Sequence, residues 1–470
     1  MDYKKLGFKA GIEIHQQIEG KKLFCSCPAI VHDPNKADIF FERKLRASAG
    51  ETGKVDKAAQ YEMNKDKIYK YEACSSSSCL VEFDEEPPHE VNEDALMLAL
   101  EVSLLLNADI VDEIHFMRKT VVDGSNVSGF QRTALVATNG YIETSKGKVI
   151  VESICLEEEA AQKLEEKGHI VSYRLDRLGV ALLEIATDPS IQDPEHAKEV
   201  SSILGMILRS TGKVKRGIGT IRQDVNVSIK GHPRVEVKGF QDIKIMPKII
   251  EAEVLRQQKE KKAASHVRKA NANGTTTFLR PMPGAARMYP ETDIPIITVT
   301  KEMLKSIKLP ELIDEKVLRF EKQYKLNPDL ARLVVKSELD FESYTKEFKK
   351  IETNLLADIL ITYPKDIQKR YKLDFNNLKE NQIKEVLSYL DQGKVNKEAI
   401  LEIFVELLQG KKLNLDKYKT LDTKELETIL KKIISKNKGA PIGALMGEAM
   451  KELRGKVDGK TVMTFLQKLS

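Results

Sequence analysis

Apolar and polar residues alternate over short stretches in the first part of the chain and recur at three- and four-residue spacing in the last. Residues 11–18 alternate except at Gln16, with Ile12, Ile14 and Ile18 on one side and Glu13, His15 and Gln17 on the other. That is the pattern of a half-buried strand, because strand side chains repeat every two residues. Residues 222–229 and 234–238 repeat it and read as a strand pair joined through Gly231-His232-Pro233. Residues 133–144 read as two short strands about Asn139-Gly140, a dipeptide suited to a type I′ turn. Two early segments have helical spacing, 93–106 and 193–209, the second opened by Asp193-Pro194 in the cap and first-turn positions. After Thr300 the spacing is helical throughout, most clearly over 395–408 and 422–434. The prediction is an α+β chain: a β-rich domain over 1–300, an all-helical domain over 301–395 and a small helical tail over 396–470. Residues 259–276 read as a linker between a helix and the next strand.

Composition narrows the class. A length of 470 residues allows roughly two to four domains. With 41% hydrophobic and 31% charged residues, the chain is too apolar for disorder and too polar for a membrane protein. Residues 1–10 hold no apolar core of signal-peptide length, and the longest apolar-rich stretch, 95–106, is interrupted by Glu101. The expected location is cytoplasmic, without membrane contact. Five cysteines are too few for a disulfide framework and imply reduced thiols or metal ligands. The net charge of +5 conceals an asymmetry, because residues 411–470 carry 14 Lys/Arg against 7 Asp/Glu. A basic tail suits a phosphate-rich partner, and a solvated helical face gives the same count.

Several residues could carry chemistry. Glu184 interrupts the apolar run 178–186, where a carboxylate must be paired, protonated or bound to metal. Glu157-Glu158-Glu159 follows a predicted strand and reads either as cation ligands or as the solvated start of a helix. Carboxylates with one imidazole, His15, favour a hard ion such as Mg²⁺ over zinc. Cys25-x-Cys27 and Cys74-x₄-Cys79 could close one structural zinc site or remain reduced thiols. The loops 123–132 and 215–219 place glycines beside Arg132 and Arg222, which suits anionic ligands, although turns need such residues anyway. No P-loop, dinucleotide fingerprint or nucleophile elbow is present in the sequence.

Six runs together resemble a known family: 11–15 (Gly-Ile-Glu-Ile-His), 123–132, 154–159, 175–186, 219–228 and 280–293. They are similar to the B/E family of glutamyl-tRNA(Gln) amidotransferase subunits. The last run, with Cys155 where the B type has histidine, places the resemblance on the archaeal E side. The resemblance implies a cradle-shaped catalytic domain, a helical domain and a helical tail that contacts tRNA. It further implies a two-step reaction on Glu-tRNA(Gln): ATP phosphorylates the glutamyl side chain, then ammonia displaces phosphate to give Gln-tRNA(Gln). Ammonia would come from an asparaginase-like partner, the D type, in a heterotetramer. By motif, Glu13, His15, Glu158 and Glu184 are the implied catalytic and Mg²⁺ residues. Ser125, Arg132, Arg222, Asp224, Asn226, Glu236, Lys238, Arg287, Glu291 and Asp293 are the implied wall of the pocket for ATP and the tRNA end. Lys438, Lys451, Arg454, Lys456 and Lys460 are the implied tRNA contacts of the tail. The E type usually carries an inserted domain where this chain has residues 259–276. Two alternatives stay open: the B type of a heterotrimeric Asp/Glu-tRNA amidotransferase, and a non-catalytic RNA-binding scaffold.

Overall fold

The computed structural model of the protein describes residues 1–33, 36–46, 53, 55, 57–240, 242–260, 264–282, 288–337, 339–418, 423–437, 439–453, 457 and 459–469. The chain forms two compact units, residues 1–312 and 313–470, the first built on sheets and the second on helices.

The first unit contains β1 (Lys9–Lys22), β2 (Ile39–Arg43), β3 (Ile68–Ala73), α1 (Glu93–Leu105), β4 (Phe116–Thr120), β5 (Phe130–Thr144), β6 (Gly147–Glu158), β7 (Gln162–Lys167), β8 (Ile170–Arg174), β9 (Val180–Thr187), α2 (Pro194–Ser210), β10 (Ile221–Ser228), β11 (Val235–Phe240), α3 (Met246–Lys259), β12 (His266–Ala270), β13 (Thr276–Pro281) and β14 (Met288–Pro290). Among the described residues, eleven strands make one mixed sheet in the order β13-β12-β11-β10-β1-β9-β6-β5-β4-β14, with Asp109–Ile110 beside β5. Neighbours run antiparallel except β11 and β12, which α3 connects in parallel. A smaller sheet has the order β2-β3-β8-β7.

One face of the large sheet is core. Ile12, Ile14, Ile154, Leu156, Leu183, Ile185, Val225 and Val227 pack there with α1, α2 and α3. Helix α1 is buried on most of its surface, which explains its near-continuous apolar sequence. Helix α2 starts where Asp193 accepts a hydrogen bond from the His196 amide at 2.9 Å, with Pro194 in the first turn. The core also takes in Val299, Met303, Leu304, Ile307 and Leu312, so the first unit continues past residue 300.

Two local expectations give way. Asn139-Gly140 is no hairpin turn, since β5 runs unbroken from Phe130 to Thr144 and turns into β6 at residues 145–146. Asn139 takes a left-handed φ of 56° within the strand, and a Cβ on Gly140 would stand 3.0 Å from the Leu106 carbonyl, so the close packing of the preceding segment selects this dipeptide. Nor is 259–276 simply a linker, because β12 lies inside it and pairs with both β11 and β13.

The second unit is helical. Its buried residues form one cluster spanning Val317 to Tyr418 and another spanning Leu426 to Leu466. The first includes helices Ile313–Tyr324, Glu380–Asp391 and Lys397–Leu408, and the second is built by Thr423–Lys436, Ile442–Leu453 and Gly459–Leu469. Among the described residues, no helix is long and apolar enough to cross a membrane.

Candidate active site

The face of the large sheet opposite the helices holds a cavity of about 540 Å³, a size ordinary for small-molecule sites. Strand alternation decides what enters it. In β1, Ile12 and Ile14 turn to the core, which leaves Glu13 and His15 on the other face. Register then aligns their partners: His15 lies opposite Glu184 of β9 and Arg222 of β10, and Glu13 lies opposite Asp224. Asp123, Ser125, Asn126, Glu157, Glu159, Glu236, Lys119, Lys238, Arg234 and Arg280 complete the charged and polar lining used below.

The charges are arranged in pairs. His15 Nε2 is 3.1 Å from Glu184 Oε2, and Lys119 Nζ is 3.8 Å from the same oxygen while also pairing with Glu157. Burial opposes charging of His15, yet its bond to Glu184 and the charges of Glu184, Asp224 and Glu157 raise its pKa above the ordinary value. Burial likewise works against ionised Glu184, but Lys119 and His15 hold its carboxyl below the usual range. Glu13 goes the other way, raised by burial and then by Glu184. Asn226 Nδ2 donates to Glu13 Oε1 at 3.1 Å, Arg222 grips Glu159 at 2.7 and 2.8 Å, and Lys238 bridges Asp224 and Glu236 at 2.7 and 2.5 Å. Arg234 and Arg280 take no carboxylate among the described residues, and Arg280 Nε is buried without a hydrogen-bond partner.

Two sets of ligand atoms converge in this cavity, His15 with Glu157 and Glu184, and Glu13 with Asp224 and Glu236, each set within 4.8 Å. Glu158 does not join them. It shares the core-side parity of Ile154 and Leu156, and its Oε1 accepts from the Arg132 amide at 2.8 Å. Its neighbour Glu157 takes the place expected of it. Arg132, Glu291 and Asp293 also lie away from the cavity: Glu291 binds Arg118 at 2.5 Å and Arg132 at 2.7 Å, and Asp293 binds Arg118 at 2.9 Å. The acidic run is not a solvated helix start, since Glu157, Glu158 and Glu159 are 2%, 6% and 1% exposed. Loop 215–219 does not line the cavity, and Ile218 at its tip is exposed. Arg287, Lys438, Arg454 and Lys456 lie outside the described residues. Lys451 and Lys460 are exposed on tail helices, Lys451 within 2.8 Å of Glu448.

The cysteines regroup as well. Sulfurs of Cys25, Cys27 and Cys79 lie within 4.8 Å of one another and of a Glu82 carboxylate oxygen. Cys74 is elsewhere, its thiol donating to the Lys36 carbonyl at 3.1 Å. Burial and then Glu82 push the Cys79 thiol up to about 11. Glu82 thus fills the fourth position expected of Cys74, a substitution that the tertiary structure reveals and the cysteine spacing conceals. Lys119, Arg234 and Arg280 were absent from the expected lining, while Asp123, Glu157 and Glu159 entered it only as members of the loop 123–132 and of the acidic run; the two-residue parity of 155, 157 and 159 was the available signal for which glutamates face the cavity.

The first unit is thus an α+β unit whose sheet gathers paired carboxylates and cations into one polar cavity. Residues 8–305 match the GatB/GatE catalytic domain and residues 340–469 the GatB domain, and the chain belongs to that family. It is 37% identical over 625 aligned positions to the E subunit of the glutamyl-tRNA(Gln) amidotransferase of Methanocaldococcus jannaschii, covering 100% of this chain and 99% of the relative. The E subunits of Archaeoglobus fulgidus and Methanosarcina acetivorans are 37% and 36% identical, covering 100% and 99% of this chain and 98% of each relative. Because the alignments exceed the chain's 470 residues, these relatives carry sequence without a counterpart here.

The ion cluster on the core side generates a test. Glu291→Gln should lower unfolding free energy by about 1.5–3 kcal/mol in urea denaturation, because hydrogen bonds to two guanidiniums lose their charge. Burial raises the Glu291 pKa, but Arg118 and Arg132 bring it down to about 2. A depressed carboxyl contributes its full stabilisation above an unfolded value of about 4.3 and loses it as pH falls toward 2. The stability difference between the two proteins should therefore shrink across that window; a gap independent of pH would show that the pair is not responsible.

Proposed function

We propose that this chain converts Glu-tRNA(Gln) to Gln-tRNA(Gln) as an ATP-dependent, carbon–nitrogen bond-forming amidotransferase subunit. The observation that carries the reading is the pair of ligand sets in one cavity, His15/Glu157/Glu184 and Glu13/Asp224/Glu236. Carboxylate oxygens with a single imidazole fit Mg²⁺. Seven carboxylates against five Lys and Arg side chains also leave the lining short of positive charge. Bound there, Mg²⁺ would neutralise charge on a phosphoryl group in transfer from ATP to the glutamyl side chain. Arg234 and Arg280 are the cations left to take phosphate oxygens. Arg222 holds Glu159 in place, and Asn226 orients Glu13. The amide donor is ammonia, which attacks the acyl phosphate and releases phosphate. Ammonia is supplied by an asparaginase-like partner, in keeping with the absence of a nucleophile elbow in the sequence.

Glu184→Gln, which nearly preserves volume, should fold and bind Glu-tRNA(Gln) but lose at least about 10²-fold in turnover with MgATP and ammonium chloride. A folded variant with near-normal turnover and unchanged Mg²⁺ dependence removes Glu184 from the site and takes away the main support for the reading.

We assign RNA contact to the tail, where Lys451 and Lys460 are exposed on a segment that carries 14 Lys/Arg against 7 Asp/Glu. Removing residues 419–470, which leaves the cluster ending at Tyr418 intact, should weaken tRNA binding and flatten its dependence on salt. Equal binding by the truncated chain at moderate salt refutes the assignment.

Cys25, Cys27, Cys79 and Glu82 form the proposed structural zinc site. Thiolates with one carboxylate suit Zn²⁺, and its binding would add to folding stability. Elemental analysis should find about one zinc per chain. Cys25→Ser with Cys27→Ser should lose it, unfold at lower temperature and keep ammonia-dependent amidation in the folded fraction; a metal-free wild-type chain refutes the site.

A further inference from the structure

Beside the cavity stands a group of side chains that neither the ligand sets nor the ion pairs employ. Tyr69 and Tyr71 on β3 and Tyr173 on β8 share one face of the small sheet, because parallel pairing sets Tyr71 opposite Tyr173 and Tyr69 opposite Val171. The rings pack at centroid distances of 6.2 Å for Tyr71–Tyr173 and 6.3 Å for Tyr69–Tyr173, and all three are buried. Their hydroxyls converge on three consecutive carbonyls of the loop between β4 and β5. Tyr69 donates to Val122 O at 2.9 Å, Tyr173 to Asp123 O at 2.8 Å and Tyr71 to Gly124 O at 2.9 Å. Burial, followed by neighbouring charge or phenol groups, raises each phenol above its ordinary pKa, so all three stay protonated donors at neutral pH.

The loop fits this platform closely. Gly124 has a φ of +89°, and a Cβ there would lie 2.1 Å from the Tyr69 ring, so only glycine lets the backbone rest on it. Beyond that contact the chain turns, with Asp123 Oδ1 accepting from the Ser125 amide at 3.0 Å and from its hydroxyl at 2.6 Å. Asp123, Ser125 and Asn126 line the cavity as a result. Asn126 is 1% exposed, yet its Nδ2 has no hydrogen-bond partner. A buried amide donor left unmatched is costly unless a ligand accepts from it.

We propose that Tyr69, Tyr71 and Tyr173 are positioning residues that fix the 122–126 loop so that the Asn126 amide meets an acceptor oxygen of the substrate in the cavity. The inference rests on the reading of that cavity as the seat of amidation. The oxygen belongs either to a phosphate of ATP or to the glutamyl group, two sources of the same hydrogen-bonding chemistry. Tyrosine-to-phenylalanine changes keep the rings and their packing while removing only the donors.

The test uses the full chain with Glu-tRNA(Gln), MgATP and ammonium chloride, together with amide hydrogen exchange over residues 121–129. The triple variant Tyr69→Phe/Tyr71→Phe/Tyr173→Phe and the single variant Asn126→Ala should each lose about 10²-fold in kcat/KM, the scale of a misplaced substrate contact. Combining all four changes should cost little more than the triple, because the two act through one contact. Loop exchange should quicken in the triple variant. A KM effect of Asn126→Ala confined to ATP, or to Glu-tRNA(Gln), identifies the source of the oxygen. Phe41→Leu loosens packing beneath Tyr71, whose ring centroid is 5.1 Å away, and retains every hydroxyl. If its loss of activity matches that of the triple variant at equal thermal stability, positioning is refuted. Wild-type kcat/KM in the triple variant or in Asn126→Ala, or multiplicative losses in the combination, also overturns the proposal. Should the triple variant fail to fold, Tyr173→Phe alone carries the same comparison. A wild-type chain that forms no Gln-tRNA(Gln) instead defeats the functional reading, and unchanged loop exchange then defeats the clamp by itself.

Discussion

Buried charge must be compensated, and that requirement organises the cavity. Seven carboxylates share its walls with five Lys and Arg side chains and one histidine. Lys119, Arg222 and Lys238 each neutralise carboxylates already present, so most of the lining is internally balanced. What remains unbalanced is informative. The two acidic ligand sets are made of the carboxylates that Lys119 and Lys238 pair with, so a cation entering either set would share them with a lysine, while Arg234 and Arg280 take no carboxylate among the described residues. A site able to take a cation and an anion at once suits a metal-bound phosphate better than either ligand alone.

The opposite face uses charge for another purpose. Arg118, Arg132, Glu158, Glu291 and Asp293 form ion pairs with one another away from the cavity. Burial and then the Arg132 contacts act in opposite directions on Glu158, and burial prevails, leaving its pKa raised. Glu157 and Glu158, adjacent in sequence, therefore experience unlike surroundings: one faces a polar cavity with Lys119 and Gln131 as partners, the other a packed interior. Neighbouring residues in a strand belong to different chemical environments as a rule, and here the rule separates a candidate ligand from an internal ion pair.

The regular parts of this arrangement were legible because they depend on local pattern. The alternation of β1 places Glu13 and His15 on a common face without knowledge of any partner strand, and the apolar run around Glu184 marks a carboxylate that must be compensated. Arg222, Asp224 and Asn226 follow from the same periodicity in β10, whereas Lys238 of β11 was implied by the family resemblance. Glu158 was less legible because three successive glutamates do not by themselves state which of them faces inward; parity with Ile154 and Leu156 does, once the register with β9 shows that the strand continues through the run. Glu82 joins the sulfur cluster only because folding brings residues 79–82 against residues 25–27, a long-range relation that cysteine spacing cannot express. Asn139-Gly140 resembles a turn locally, yet close contact with Leu106 demands the same residue types inside a strand.

Because pairing on both sides locks each central strand, the large sheet tolerates changes in length very unevenly. One residue inserted before Glu157 in β6 would rotate every following side chain by one position, sending Glu157 toward the interior and Glu158 toward the cavity. An insertion in a connection leaves the ladders in place. The relatives align from end to end over 625 positions against the 470 residues here, so they carry sequence that this chain lacks. By this geometry, a gain or loss of sequence keeps the ladder only where it falls in a connection, and the sheet acts as a reading frame for such events.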